Sequence, residues 1–276
     1  MTPVLSGTVL SGAVLSGAVL SGTVSPAAYW SSVGVAAAAC AALCLRARRH
    51  PGPWQVWSAR LIGAALAADA VSYVVALVVK GTFSFSTSLP LALCNMAVLV
   101  AAAACWTRVR VLVELTYFWG LAGSLQAVIT PDLDTGFPHL VFFQYVVGHL
   151  GIVTAALFLV VGMRLEPRQG AVRRALLLTA GYTSFVGVVD ALTNANYMFL
   201  RTPPANWTLL RALGPWPWYV VSAAGVAVVL FTLLDAPFRR GRRAAAEERG
   251  RSAGRRERPA PSAPRLPGAL PDPRAV

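Results

Sequence analysis

Charge is scarce in this chain. Only 13% of its 276 residues are Asp, Glu, Lys or Arg, well below the share in a soluble domain, while 56% are hydrophobic and the mean hydropathy is +0.60. A soluble globular domain is excluded, and an integral membrane protein is expected. Histidine is rarer still. His50, His139 and His149 are the whole complement, with no two at ligand spacing on one helix, so no metal site and no cofactor are expected. The four cysteines, Cys40, Cys44, Cys94 and Cys105, all fall in apolar stretches, which argues against the disulfide framework of a small secreted domain. Cys40 and Cys44 share a helix face at i, i+4 and read as packing residues. No Lys or Arg precedes Arg46. The repeat VLSGT VLSGA VLSGA VLSGT within residues 4–24 therefore lacks the basic segment of a signal peptide, and its recurrent Gly and Ser make a weak helix. Residues 1–26 read as low-complexity sequence with no assigned function.

What the chain has instead is long apolar runs. Seven approach the roughly 20 residues of a transmembrane helix: Ala27–Leu45, Leu61–Val79, Leu89–Trp106, Val111–Thr130, His139–Met163, Ala175–Leu200 and Pro217–Pro237. The expected fold is all-α, a polytopic bundle of seven transmembrane helices over residues 27–238, followed by a tail at 239–276. Arginines collect in alternate connections: Arg46, Arg48, Arg49 and Arg60; then Arg164, Arg168, Arg173 and Arg174; then the tail from Arg239. The other connections carry little positive charge. Because cationic loops stay in the cytoplasm, a multi-pass protein of the cell membrane is expected, with its amino terminus outside and carboxyl terminus inside. From Arg239 onward, eleven Arg against Glu247, Glu248, Glu257 and Asp272 leave +7 of the net +13 in the tail. That charge does not indicate nucleic acid. The tail has no apolar periodicity and is expected to be disordered, with its first arginines able to rest on anionic headgroups. Nothing in the sequence specifies an oligomer.

The informative residues are the polar ones inside the spans, since polar groups in hydrocarbon must be hydrogen-bonded. At roughly 1.5 Å per residue, Cys94 lies roughly 7 Å below the outer boundary, with Asn95 beside it. Gln126, Gln144, Asn194 and Asn196 fall at similar depth on three other helices, and His149 and Asp190 lie a turn or more deeper. Polar groups of four helices thus crowd into the outer half of the bilayer. Hydrogen-bonded glue between helices accounts for any one of them; the cluster as a whole suggests a site. Asp69 and Asp190 offer a second function class, a proton or cation relay in a transporter. However, seven helices do not split into equal halves, and no internal repeat is visible. A lipid-binding protein without chemistry is a third class.

The ordered motifs LPLALCN (89–95), YFWGLAGSLQAVITPD (117–132), FPH with FFQYVVGHLGIV (137–153), NANYMFL followed by a Pro pair (194–204) and GPWPWYV (214–220) resemble the YwaF-type family of bacterial integral membrane proteins. That family is distantly similar to an animal transmembrane acyltransferase group that remodels ether phospholipids, in which an intramembrane cysteine is the proposed nucleophile and a histidine its partner. The resemblance implies a lipid acyl transferase or hydrolase with Cys94 and His149 as its catalytic pair and membrane lipid as its partner. One position departs from the pattern: Ala92 stands where a histidine is expected two residues before the cysteine. Chemically, a buried thiol needs a base to become nucleophilic, and His149 is the candidate. Asn95, Gln126, Gln144, Asp190, Asn194, Asn196, Tyr197 and Trp216 are the candidate substrate-binding residues, the amides as donors to an acyl oxyanion and Asn196, Tyr197 and Trp216 as the rim of a lipid-entry site. The expected cavity is walled by the third, fourth, fifth and sixth helices.

Overall fold

The computed structural model describes residues 25–131, 133, 136–203 and 212–256, with side chains described as far as Gly241. The repeat, Asp132, Asp134, Pro204, Trp207, Arg211 and the tail beyond Arg256 lie outside the described residues. The fold is all-helical, with no strand among the described residues: α1 (Pro26–Arg49), α2 (Trp54–Val79), α3 (Leu93–Thr107), α4 (Arg110–Ile129), α5 (Leu140–Gly162), α6 (Ala171–Thr193) and α7 (Trp218–Arg256). Six of the seven are long and apolar enough to cross a membrane, and α3 is a shorter apolar helix of 15 residues.

Helix ends differ from the apolar runs wherever local chemistry overrides hydropathy. The start of α1 is set by Ser25, whose hydroxyl accepts from Ala28 N at 3.4 Å, and by Pro26 in the first turn, the usual signature of a helix start. Its last turn carries Arg46, Arg48 and Arg49, which suit the negative end of the helix dipole. Well before the expected Leu61, α2 begins at Trp54, because the Trp54 indole donates to His50 O at 2.9 Å and the Gln55 amide to Ala47 O at 2.8 Å. Arg60 is therefore a helix residue and not a loop residue. The start of α3 comes four residues after the expected Leu89, because the Tyr197 and Tyr182 hydroxyls take Leu89 N and Leu91 O and residues 89–92 form a turn instead. As a result Cys94 and Asn95 are the second and third residues of α3. At its far end, α6 stops at Thr193, where Asn194 adopts a left-handed conformation (φ 54°), a role Asn tolerates well. Asn194 and Asn196 thus lie in a loop and not within the expected span Ala175–Leu200; a short 3₁₀ turn, Tyr197–Phe199, follows them. The chain divides after Ala236. Residues 237–256 are helical, and their Ala, Arg and Glu are strong helix formers even without an apolar face.

Large apolar side chains face outward: Leu192 is 80% exposed and Val79 79%. That inverts the pattern of a soluble protein and suits a lipid surround. Between helices the packing relies on small residues, as bilayer-embedded helices require. Ala97, Ala101, Ala104 and Cys105 of α3 are buried, and Gly63 of α2 lies so close to α3 that a Cβ there would come within 2.6 Å of the Trp106 ring and 2.9 Å of Cys105 Cβ. Hydrogen bonds make α4 the hub of the bundle. Tyr29 of α1 donates to Val128 O at 2.8 Å, Trp119 to Thr179 Oγ1 of α6 at 2.8 Å, and Tyr117 to Leu234 O of α7 at 3.1 Å.

One end of the bundle is clamped by ions. Glu114 of α4 is buried, and its two carboxylate oxygens accept from the backbone N–H and guanidinium of Arg168 and from the guanidinium of Arg174 at 2.9–3.4 Å. This joins α4 to the α5–α6 connection and to the start of α6. The hydrogen bonds that Arg168 donates to Glu114 raise its guanidinium above its ordinary value.

Candidate functional site

A cavity of about 220 Å³ opens between α2, α3 and α5, and its wall includes Asp69, Tyr73, Cys94, Asn95, Gln144 and His149. An apolar cavity of about 150 Å³ suffices for benzene, so this one has room for an ester group and its neighbouring atoms. Cys94 and His149 thus line one space, together with two of the amides expected beside them. The walls differ from expectation: α2 supplies a face, whereas no residue of α4 or α6 lines the cavity. The reason is packing. The small-residue face of α3 brings it against α2, and α5 fills the groove beside them.

Each polar group in the cavity is aimed by its own element. Cys94 sits in the first turn of α3, where backbone N–H groups have no intrahelical acceptor and the cap residue Ala92 offers no side-chain acceptor. That end of a helix carries partial positive charge and favours an anion beside it. His149 Nδ1 lies 2.9 Å from Tyr145 O; a carbonyl only accepts, so the proton belongs on Nδ1 and Nε2 keeps its lone pair. The Tyr145 ring lies against the imidazole, centroids 4.3 Å apart, and its hydroxyl donates to Ala127 O at 2.7 Å. The histidine is therefore held in one orientation. Gln144 donates to Ser72 Oγ at 2.9 Å, and Ser72 donates to Asp69 O at 2.8 Å, which ties α5 to α2 at the level of the cavity.

Asp69, expected as one half of a relay with Asp190, lines this cavity without it. Its carboxylate lies against α5 at Gly148, one position before His149: a Cβ on Gly148 would stand 3.1 Å from Asp69 Oδ2. The missing side chain lets a carboxylate from α2 reach the wall that carries the histidine.

The remaining candidates lie away from the cavity. Gln126 is exposed. Asp190 is fully buried, and its Oδ1 accepts from Tyr197 N at 2.9 Å. Asn196 folds the loop after α6: its Oδ1 accepts from Arg201 N and Thr202 N, and its Nδ2 donates to Thr202. Arg201 donates to Asp190 O, Asn194 Oδ1 and Ala195 O. Trp216 is 61% exposed and donates to Leu200 O at 3.1 Å. Tyr197 acts over a longer reach, its hydroxyl donating to Phe85 O at 2.9 Å and accepting from Leu89 N at 3.0 Å; Tyr182 donates to Leu91 O at 2.8 Å. Together these two tyrosines hold the segment that leads into Cys94. Among the described residues no group of three His, Cys, Asp or Glu is placed to hold a metal ion.

Comparison with curated proteins and with solved structures gives no match. The model of the TMEM164 family, by contrast, matches residues 22–235, which takes in every helix from α1 to α6, the cavity and most of the spanning part of α7. This chain is a member of the TMEM164 family of membrane proteins.

Proposed function

We propose that this chain moves acyl groups of membrane lipids, by transfer or hydrolysis, with Cys94 as nucleophile and His149 as base. The observation that carries the reading is the shared cavity: a thiol at a helix start and an imidazole with a free Nε2 line one space in an apolar bundle. In the first step His149 Nε2 takes the thiol proton, sulfur bonds to the acyl carbonyl carbon, and the ester C–O bond breaks, with the lipid oxygen leaving with the proton from His149. The acyl group is then a thioester on Cys94. In the second step an alcohol of a lysolipid, or water, gives its proton to His149 and attacks the thioester; the C–S bond breaks and the proton returns to sulfur. The Asn95 amide and the free N–H groups of the first turn of α3 are donors for the oxyanion. Asp69, across the cavity, favours the imidazolium that forms in each step.

The transport reading loses support from Asp190, which caps the Tyr197 turn and does not share a cavity with Asp69. The test is a lipid profile of membranes expressing wild-type protein, Cys94→Ala or His149→Ala, paired with a lipid-like thiol-reactive probe. Acyl chemistry predicts an altered profile with wild type only, probe labelling at Cys94, and much weaker labelling in His149→Ala. An identical profile for all three proteins at equal membrane abundance would remove it and leave lipid binding without chemistry.

A further inference from the structure

At the end of the bundle where α2 and α4 begin and α3 finishes, three arginines keep buried nitrogens without an acceptor: Arg60 Nε, Arg108 Nη1 and Arg110 Nη1. Packing gathers them. Gly63 admits Trp106 against α2, and the Arg60 guanidinium lies over the rings of Trp57 and Trp106, 5.4 and 5.9 Å from their centroids. Arg108 caps α3 in a left-handed conformation (φ 55°), and after Val109 alone Arg110 opens α4. The chain thus puts two arginines at the corner between α3 and α4 and a third on α2, whose guanidinium lies over Trp106, two residues before Arg108.

No described carboxylate answers them. Glu114, four residues into α4, already has both oxygens committed to Arg168 and Arg174, and Glu166 is exposed and unpaired with any of the three. The indole rings cover the face of Arg60 but cannot accept from its edge. A buried N–H without an acceptor is costly, so arginines that keep such groups on either side of the α3–α4 corner and on the neighbouring turn of α2 mark a place for a multivalent oxygen acceptor.

We propose that Arg60, Arg108 and Arg110 form a site for a phosphate group, and that the group is the headgroup phosphate of an anionic phospholipid in the leaflet at this end of the bundle. A phosphate offers several oxygens in the geometry that guanidinium forks match. The surroundings favour the lipid as its source. Trp57, Leu61 and Trp106 are 64%, 68% and 51% exposed beside the arginines, so an apolar wall and interfacial indoles run alongside where acyl chains would lie. This site is independent of the acyl-transfer reading, since none of its residues lines the Cys94 cavity.

The experiment is native mass spectrometry of the full chain released from nanodiscs of phosphatidylcholine containing phosphatidic acid or phosphatidylglycerol, repeated in detergent with inorganic phosphate alone. The expected result is retained anionic lipid on wild-type protein, reduced about tenfold in Arg108→Gln and in Arg110→Gln, as loss of one charge-assisted hydrogen bond implies. Arg108→Lys keeps the charge but not the fork, and is expected to retain less than wild type. Arg164→Gln, an exposed arginine of the same end, is expected to retain lipid as wild type does. Equal loss in Arg164→Gln would overturn the site in favour of diffuse attraction, and so would equal retention of phosphatidylcholine. Saturable binding of inorganic phosphate that displaces the lipid signal would overturn the lipid as occupant.

Discussion

Neutralising Glu114 tests how much the bundle depends on its ion clamp. Glu114→Gln keeps the shape and one acceptor oxygen but removes the charge that faces two guanidinium groups. Breaking a buried ion pair by removing one partner costs about 3–5 kcal/mol. Here the glutamate is 3% exposed while the Arg168 and Arg174 side chains are 44% and 34% exposed, so both arginines can turn to water and solvent screening brings the expected loss to about 2–3 kcal/mol. For a chain of this size each kcal/mol is worth about 2–4 °C, which puts the fall in melting temperature at about 4–12 °C. Thermal unfolding of purified full-length protein in mild detergent, followed by tryptophan fluorescence, measures it. Glu166→Gln, at an exposed position on the same connection, is the control and is expected to change the midpoint by less than about 1 °C, as surface substitutions do. If Glu114→Gln behaves like the control, the clamp contributes nothing and the reasoning from buried charge fails.

Gly63→Ala is expected to cost about 1–3 kcal/mol by overpacking, because its Cβ would meet Trp106 and Cys105 at 2.6–2.9 Å. Gly34→Ala, with nothing within 4 Å, is expected to be neutral or to stabilise by up to about 1 kcal/mol; similar melting points for the two variants would refute this account of the α2–α3 seam. Tyr197→Phe leaves Phe85 O and Leu89 N without their partner and is expected to lower stability by about 1–3 kcal/mol. It also loosens the segment before Cys94, so probe labelling of Cys94 should fall further in this variant than in a Glu114→Gln variant of equal melting point. A fluorescent protein fused at the carboxyl terminus is expected to fluoresce, and alkaline phosphatase fused there to be inactive, since arginine-rich connections stay in the cytoplasm; active phosphatase would reverse the orientation.

The spans were legible because hydrophobic length is a one-dimensional signal. Six long helices and one short one occupy the seven apolar runs. Their ends were not legible from hydropathy, because ends depend on which backbone groups find partners. LPLA at 89–92 is as apolar as the helix that follows, yet distant tyrosines take Leu89 N and Leu91 O, and the helix begins just before Cys94. ALTNANYMFL is apolar enough to prolong α6, yet Asn194 turns left-handed and Asp190 caps Tyr197. In both places the displaced end decides what the polar residue does: Cys94 gains a helix start, and Asn196 becomes a loop fastener.

The site was half legible for a related reason. Depth in a bilayer follows from residue count at roughly 1.5 Å per position, and it put Cys94, Asn95 and Gln144 at one level with His149 a turn or more below; all four line the cavity. Azimuth does not follow from residue count, because which neighbour a helix face meets is set by packing across the bundle. Depth alone therefore also gathered Gln126, Asn194 and Asn196, which lie away from the cavity, and gave walls to α4 and α6 where α2 supplies one. Asp69 sits at the depth of His149. It lies ten residues from the end of α2 at Val79, and His149 lies ten residues from His139 at the start of α5, so both sit roughly 15 Å from the same end. A carboxylate and an imidazole at equal depth, with a glycine next to the histidine, is a pattern visible in sequence. Gly148 removes the side chain that would hold α2 away, and the result is a carboxylate, an imidazole and a thiol around one cavity.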